Sequence, residues 1–349
     1  MVVSSAGWGG GERAALSLAA DLSRAGEEVL VAGRGGGLFE QETAARGLRF
    51  APACPGDGPD LRGVARLLRL IRAERPDVVH AHLNRAALWS GIAARIARVP
   101  LVSTAHGITR AIYYRMSHRV ICVSHAVAAH LVAQVADLSV HVIVNALDPA
   151  TRADPARAAV LRRELVPDPA ERLLLIAAKL HPNKGQRLAI EALAQVPRCR
   201  LALAGDGPDQ AHLATLAARA GVAGRVSFLG HRSDVLDLMG AADALLVPSE
   251  HEAFSLAAAE ALLCGTPVIA ARTGGLPEVV GADGVLLDAR DPAAWAAAVT
   301  AVLADLPAAR ARAAAAGPRL LSTCAPAPVL AATRAVYAAL VNVPAPARR

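Results

Sequence analysis

Two glutamates and two lysines have the types and spacing for chemistry on a phosphorylated substrate. The segment Pro248-Ser249-Glu250-His251-Glu252-Ala253-Phe254-Ser255-Leu256-Ala257-Ala258-Ala259-Glu260 starts where an apolar run ends. Glu252 lies in the loop, and Glu260 falls a turn or more into the helix that Ser255 can cap and Gly265 can terminate. A helix N-terminus offers free N–H groups and the positive end of a dipole, so this one can cradle a diphosphate while the carboxylates accept hydrogen bonds from sugar hydroxyls. The second segment is Ala178-Lys179-Leu180-His181-Pro182-Asn183-Lys184-Gly185, directly after the apolar run Leu173–Ala177. Ammonium groups there can neutralise charge that builds on a departing diphosphate. Taken singly, both segments have a plainer reading, as a solvated acidic loop and a pair of solvated lysines.

Four further turns sit at predicted strand ends. Gly7-Trp8-Gly9-Gly10-Gly11-Glu12 opens a helix and lets backbone approach a ligand closely, but it lacks the spacing of the dinucleotide fingerprint. Gly205-Asp206-Gly207-Pro208, Thr104-Ala105-His106-Gly107 and Thr273-Gly274-Gly275-Leu276-Pro277-Glu278 are the others. The remaining histidines form no metal-ligand pattern. His80 and His82, two apart on the same side of a strand, come nearest to one. P-loop, GxSxG and HExxH patterns do not occur.

Such loops must be held by a scaffold, and the hydrophobic pattern supplies it. Short apolar runs alternate with longer amphipathic ones, which predicts parallel sheets covered by helices. Predicted strands include Glu28–Ala32, Val78–His80, Leu101–Thr104, Arg119–Val123 and His141–Val144, then Leu173–Ala177, Arg200–Gly205, Val226–Leu229, Ala244–Pro248, Val268–Ala270 and Gly284–Leu287. The Pro-bearing stretch from Asp148 to Glu171 is read as the domain junction. Residues 1–148 then form one α/β domain and residues 149–320 another. A Pro-rich bend precedes an apolar helix near Val329–Leu340. The Gly-rich turn normally follows a full strand, yet only Met1–Ser5 precede it, so the expectation is that the true start lies upstream.

The 349 residues allow two cores, and 37 basic against 30 acidic residues give a net charge of +7. That excess suits anionic substrates or an anionic membrane surface. Aromatic residues, 3 % of the chain, are too few for a base-stacking nucleic-acid platform, so no nucleic-acid partner is expected. Five scattered cysteines without a CxxC pair read as buried reduced thiols in a reducing compartment. Neither a signal peptide nor a spanning helix is read from the sequence, which implies a cytoplasmic protein.

Together these residues resemble the retaining glycosyltransferases of family 4 (group 1) with the GT-B fold, over nearly the whole chain and in the family's order. Glu252 and Glu260, eight apart, match its paired-glutamate signature ahead of Gly265-Thr266-Pro267-Val268. Lys184-Gly185 matches its phosphate-binding pair, Gly274-Gly275-Leu276-Pro277-Glu278 its Gly-Gly-x-Pro-Glu turn, and Asn145-Ala146-Leu147-Asp148 its hinge. The resemblance implies two Rossmann-like domains facing a cleft, the N-terminal one taking the acceptor and the C-terminal one the donor. The last helix, about 325–342, would pack back on the N-terminal domain.

The same resemblance assigns roles. Lys179 and Lys184 would hold the diphosphate, with backbone amides after Phe254, at Ser255 and Leu256, and with Gly205 and Gly207 alongside. Glu260 would contact the ribose, Glu252 the donor sugar and His106 the transferred sugar, and Gly9 and Gly10 would close on the phosphates. Glu252, Lys184 and His106 are thus the catalytic candidates. The donor would be a UDP-sugar or GDP-sugar, with no cofactor and no metal, because cations and a helix end do the neutralising. The acceptor would be a glycan or lipid-linked glycan of cell-surface polysaccharide, lipopolysaccharide or glycolipid synthesis. The Arg-bearing helix Leu61–Ala73 is compatible with peripheral contact on the inner membrane face.

Three departures stand out. Lys179 replaces the family's usual arginine and lacks its bidentate fork. Ala253 and Ser255 add Cβ atoms where the family has Glu-Gly-Phe-Gly, and Ala146 replaces the hinge glycine. Two rival readings on the same fold are a non-catalytic nucleotide-sugar-binding subunit and a sugar-nucleotide epimerase.

Overall fold

The computed structural model describes residues 1–5, 7–55, 60–288 and 290–341. The chain divides into two compact units, Met1–Ala146 with the chain from Thr323 onward, and Leu147–Ser322. Each is a Rossmann-like parallel sheet covered by helices.

Unit 1 contains β1 (Val2–Val3), β2 (Leu30–Ala32), β3 (Arg49–Ala51), β4 (Val79–His82), β5 (Leu101–Ala105), β6 (Arg119–Cys122) and β7 (Val140–Val142), in the order β3-β2-β1-β4-β5-β6-β7. Unit 2 contains β8 (Arg172–Ala177), β9 (Cys199–Ala204), β10 (Val226–Gly230), β11 (Ala244–Val247), β12 (Val268–Ala271) and β13 (Val285–Leu287), in the order β10-β9-β8-β11-β12-β13. Central strands are apolar throughout because helices bury both faces of the sheet: Leu173 to Ile176 and Ala244 to Val247 are all buried. The unit 2 core gathers Leu174, Ile176, Leu203, Leu246 and Ile269 against Leu188, Ile190 and Trp295.

Strand order reverses between β1 and β4 in unit 1, and between β8 and β11 in unit 2. At such a reversal the flanking connections leave towards opposite faces of the sheet. A crevice opens at the carboxyl ends of the two strands, and ligands bind there in open α/β sheets. Side chains then set where the helices begin. Asp60, Ser124, Asp154 and Asp291 each cap a helix, and proline occupies the first turn after Asp154 and Asp291.

The helix-prone stretch 148–171 begins just after the division at Ala146. It carries the helix Pro155–Leu165 inside unit 2, where Arg157 pairs with Asp237 at 3.0 Å and Arg162 with the buried Asp243 at 2.6 Å. Strand β3 and the helices Leu38–Ala45, Val235–Ala241 and Leu306–Cys324 escape the sequence reading. The first three are short. The last runs through Pro318, where the pattern suggests a break.

The helix Pro326–Val341 belongs to unit 1, where Val336, Tyr337 and Leu340 pack with Val102 and Ile121. The stretch Leu306–Val341 does meet a length-and-hydropathy criterion for crossing a membrane, contrary to the sequence reading. Two of its arginines are nevertheless paired with acids of the folded units: Arg319 with Asp283 at 2.6 Å and Arg334 with Glu27 at 2.8 Å. Four of the five cysteines are buried, and no disulfide joins them among the described residues. Burial pushes the thiols of Cys122 up to about 12 and of Cys199 and Cys264 up to about 11.

Candidate active site

The two segments singled out by residue type flank the strand reversal of unit 2. Lys179 to Lys184 follow β8, and Ser249 to Ser255 follow β11, its direct neighbour in the sheet. Backbone stitches the two loops together: the Glu250 N–H donates to the Asn183 carbonyl at 2.8 Å. Gly185 has φ of +71°, and a Cβ there would lie 2.0 Å from the Pro248 carbonyl oxygen, so only glycine permits this approach.

Lys184 and Glu252, 68 residues apart, form an ion pair of 2.7 Å. Their side chains are 24 % and 16 % exposed, which leaves the pair open to exchange with a ligand. The hydroxyl of buried Ser249 donates to the same Glu252 oxygen at 3.3 Å. A carboxylate held by an ammonium and a hydroxyl at the mouth of a crevice can exchange those partners for sugar hydroxyls, while the ammonium turns to a phosphate.

The Glu252 loop is also gripped from its other side. Gly275 N–H donates to the Glu252 carbonyl at 2.9 Å, and the Thr273 hydroxyl to the Glu250 carbonyl at 3.0 Å. A Cβ on Gly274 would sit 1.8 Å from the Glu252 carbonyl oxygen. Arg290 reaches the Ser249 carbonyl at 3.3 Å and the Glu250 carboxylate at 3.2 Å. Arg290 was not singled out by the sequence reading, and Ser249 and Thr273 stood in the quoted segments without a role, because their partners are distant backbone carbonyls and carboxylates of the folded loop. Only the position of Ser249 beside a strand end hints at its role.

Ser255 caps the helix Leu256–Leu263, its Oγ accepting from the Ala258 N–H at 3.3 Å. Its φ of +81° is the left-handed value that the glycine of the usual motif would take freely. Phe254 is buried, so contact with a ligand falls to its backbone. Glu260 is half-buried in the third position after the Ala257 that follows Leu256. Lys179 is exposed, and its carbonyl accepts from Gln186 Nε2 at 2.9 Å. Gly205 and Gly207 face protein: Cβ atoms there would lie 2.1 Å from the Ala178 carbonyl oxygen and 2.0 Å from that of Leu180. Both glycines thereby seat the Lys179 loop.

In unit 1, Gly9 is the N-cap of the helix Gly10–Arg24, directly after the turn that follows β1. A Cβ on Gly11 would touch Leu83 at 3.0 Å and His106 at 3.4 Å. His106 follows β5 and joins a buried group of histidines. His82 Nδ1 lies 2.9 Å from His106 Nε2, and the His80 and His82 rings stand 4.2 Å apart. Burial pushes His106 down to about 4. Burial first, then neighbouring positive groups, hold His80 and His82 well below the ordinary imidazole value. Among the described residues, no group of three or more His, Cys, Asp or Glu is placed to hold a metal ion.

Comparison with known proteins places this geometry. Residues 8–151 match the family model "Glycosyltransferase Family 4" and residues 159–319 the model "Glycosyl transferases group 1". The D-inositol 3-phosphate glycosyltransferase of Mycobacterium marinum is 32 % identical over 286 residues, 68 % of this chain and 59 % of that protein. The protein of the same name from Xylanimonas cellulosilytica is 34 % identical over 270 residues, 66 % of this chain and 64 % of that one. The chain thus spans about three-fifths of the length of these curated relatives. The crystal structure of Anabaena HepE in complex with UDP-glucose superposes with a TM-score of 0.86 at 25 % identity, over 96 % of this chain and 98 % of that one. With two parallel-sheet Rossmann-like domains and a family model matched by each, the chain belongs to the GT-B glycosyltransferases of family 4, group 1.

Proposed function

We propose that this protein transfers a sugar from a uridine diphosphate sugar to an acceptor hydroxyl, with retention of anomeric configuration. The observation that carries the reading is the Lys184–Glu252 ion pair at the strand reversal of unit 2, beside the N-terminus of the helix Leu256–Leu263. Lys184 and Lys179 take the diphosphate together with the free amides after Phe254. Glu260 takes the ribose, Glu252 and His106 are assigned to the sugar, and Gly9 and Gly10 to the phosphates. Most of the rate then comes from holding two substrates together and from stabilising the diphosphate as it leaves. The two ammonium groups and the helix end supply that stabilisation, so the reaction runs without a divalent metal. Anabaena HepE, solved with UDP and with UDP-glucose, supports uridine as the base.

The acceptor hydroxyl is proposed to lie on a glycan or lipid-linked glycan at the cytoplasmic membrane face. Arg62, Arg66, Arg69 and Arg72, all exposed on the helix Leu61–Glu74, support docking on anionic lipid there. A second reading, a phosphorylated cyclitol as acceptor, is favoured by the names of the mycobacterial and Xylanimonas relatives.

The test is UDP release from UDP-glucose, with and without chelator, across acceptors of both kinds, with product configuration read by NMR. Chelator-resistant release and an α-linked product support the proposal. A β-linked product overturns retention, and complete loss restored by added metal overturns metal independence. Acceleration by D-inositol 3-phosphate rather than by lipid-linked glycans selects the second reading.

A further inference from the structure

A buried neutral imidazole carries one proton on one of two nitrogens, and its neighbours decide which. His80 is fully engaged: Tyr337 Oη lies 2.5 Å from its Nδ1 and Thr104 Oγ1 2.7 Å from its Nε2. His82 and His106 differ. They share one hydrogen bond, Nδ1 of His82 to Nε2 of His106, and their other nitrogens, His82 Nε2 and His106 Nδ1, are buried with no partner among the described residues.

The shared bond holds one proton, so one orphan nitrogen is an N–H and the other is bare. Were His106 the donor, the unmet N–H would be Nε2 of His82, a residue 1 % exposed whose neighbour His80 has no nitrogen to spare. Were His82 the donor, the unmet N–H would be Nδ1 of His106, a residue that is partly exposed at the end of β5. An unmet buried donor is costly, and the second arrangement puts it on the residue nearer to solvent. Burial disfavours a second proton on both imidazoles, and on His82 the neighbouring His80, His106 and the Met1 amine ahead of β1 disfavour it further.

We propose that His82 is a positioning residue for His106. Its Nδ1–H donates to His106 Nε2 and holds His106 as the Nδ1–H tautomer, a hydrogen-bond donor for a hydroxyl oxygen of the bound sugar. This rests on the reading of His106 as a sugar contact. The sugar hydroxyl thereby gives His106 Nδ1 the partner it lacks, while His82 Nε2 stays a bare acceptor, the cheaper of the two orphans to leave unmet.

Nitrogen-15 NMR of the histidine rings in the full chain reads the tautomer directly, with the His106 resonances assigned by their loss in His106→Gln. The expected result is a protonated Nδ1 and a bare Nε2 on His106. A protonated Nε2 overturns the proposal. Turnover of UDP-glucose gives the second arm. His82→Ala is expected to lower kcat roughly tenfold or more, His82→Asn, whose amide replaces Nδ1, to recover most of it, and His82→Gln to stay low. His82→Ala should also move the acid limb of kcat/KM up towards the ordinary imidazole value, because water replaces the ring that shields His106. Equal losses in all three variants, with unchanged pH profiles, reduce His82 to packing and overturn the proposal. If wild type releases no UDP from UDP-glucose, the transferase reading fails while the tautomer measurement still stands.

Discussion

Ser255 holds a left-handed backbone conformation that costs an L-residue about 1–3 kcal/mol, and it is placed where the usual motif has glycine. Its hydroxyl offsets part of that cost by capping the helix, a role glycine fills only a few tenths of a kcal/mol less well. Ser255→Gly is therefore expected to stabilise the fold by about 1 kcal/mol, read as a rise in Tm with turnover maintained; a fall in Tm would show that the cap outweighs the strain. At Lys184, loss of the ammonium removes a charge from the leaving group but none from the core. Lys184→Ala should lower turnover about 100-fold or more with Tm little changed. Glu252→Ala should reduce kcat more than nucleotide affinity, and an equal loss of both would reassign Glu252 to the nucleotide. These side chains were legible in the sequence because charged residue types at strand ends are conspicuous there. His82 was visible only as half of a weak metal pattern, since its partner is brought to it by the pairing of β4 with β5.

Among the elements, the loops after β8, β9, β11 and β12 are held by backbone contacts that admit no side chain. Gly185 meets Pro248, Gly205 and Gly207 meet Ala178 and Leu180, and Gly274 meets Glu252. Gly274→Ala must displace the Glu252 loop, and Gly274 also has φ of +51°. It is expected to cost about 2–3 kcal/mol of stability and most of the turnover. Retention of both would show that the loop shifts freely. The long apolar strands β8, β9 and β11 could be read from the sequence because helices bury both of their faces. The two-residue β1 and the edge strand β3, with its exposed Arg49, leave too little pattern to read. The polar helix Pro155–Leu165 gave only a general helix-prone signal without bounds, because arginines fill its surface and only Ala158 and Leu161 are buried.

For the whole molecule, three buried histidines make stability depend on pH. Their folded values lie below the unfolded value near 6.5, so the unfolded chain binds more protons between the two. Their neutral burial is fully accommodated above about pH 6.5, and stability is lost as pH falls from there, for His106 towards about 4. The slope is up to about 1.4 kcal/mol per pH unit for each histidine. Tm measured from pH 7.5 to 4.5 should fall below 6.5, and His82→Asn should flatten that fall. A Tm that is level across this range would mean that the imidazoles take up protons in the fold as readily as in the unfolded chain. The two-sheet architecture was legible from alternating apolar periods.

The central claim is that the strand reversal of unit 2 binds a nucleoside diphosphate through Lys184. Calorimetric titration of UDP into wild type and Lys184→Ala without metal tests it most directly. The account predicts saturable one-site binding to wild type, weakened tenfold or more in the variant. Equal affinities, or no binding to a folded wild-type protein, would contradict it.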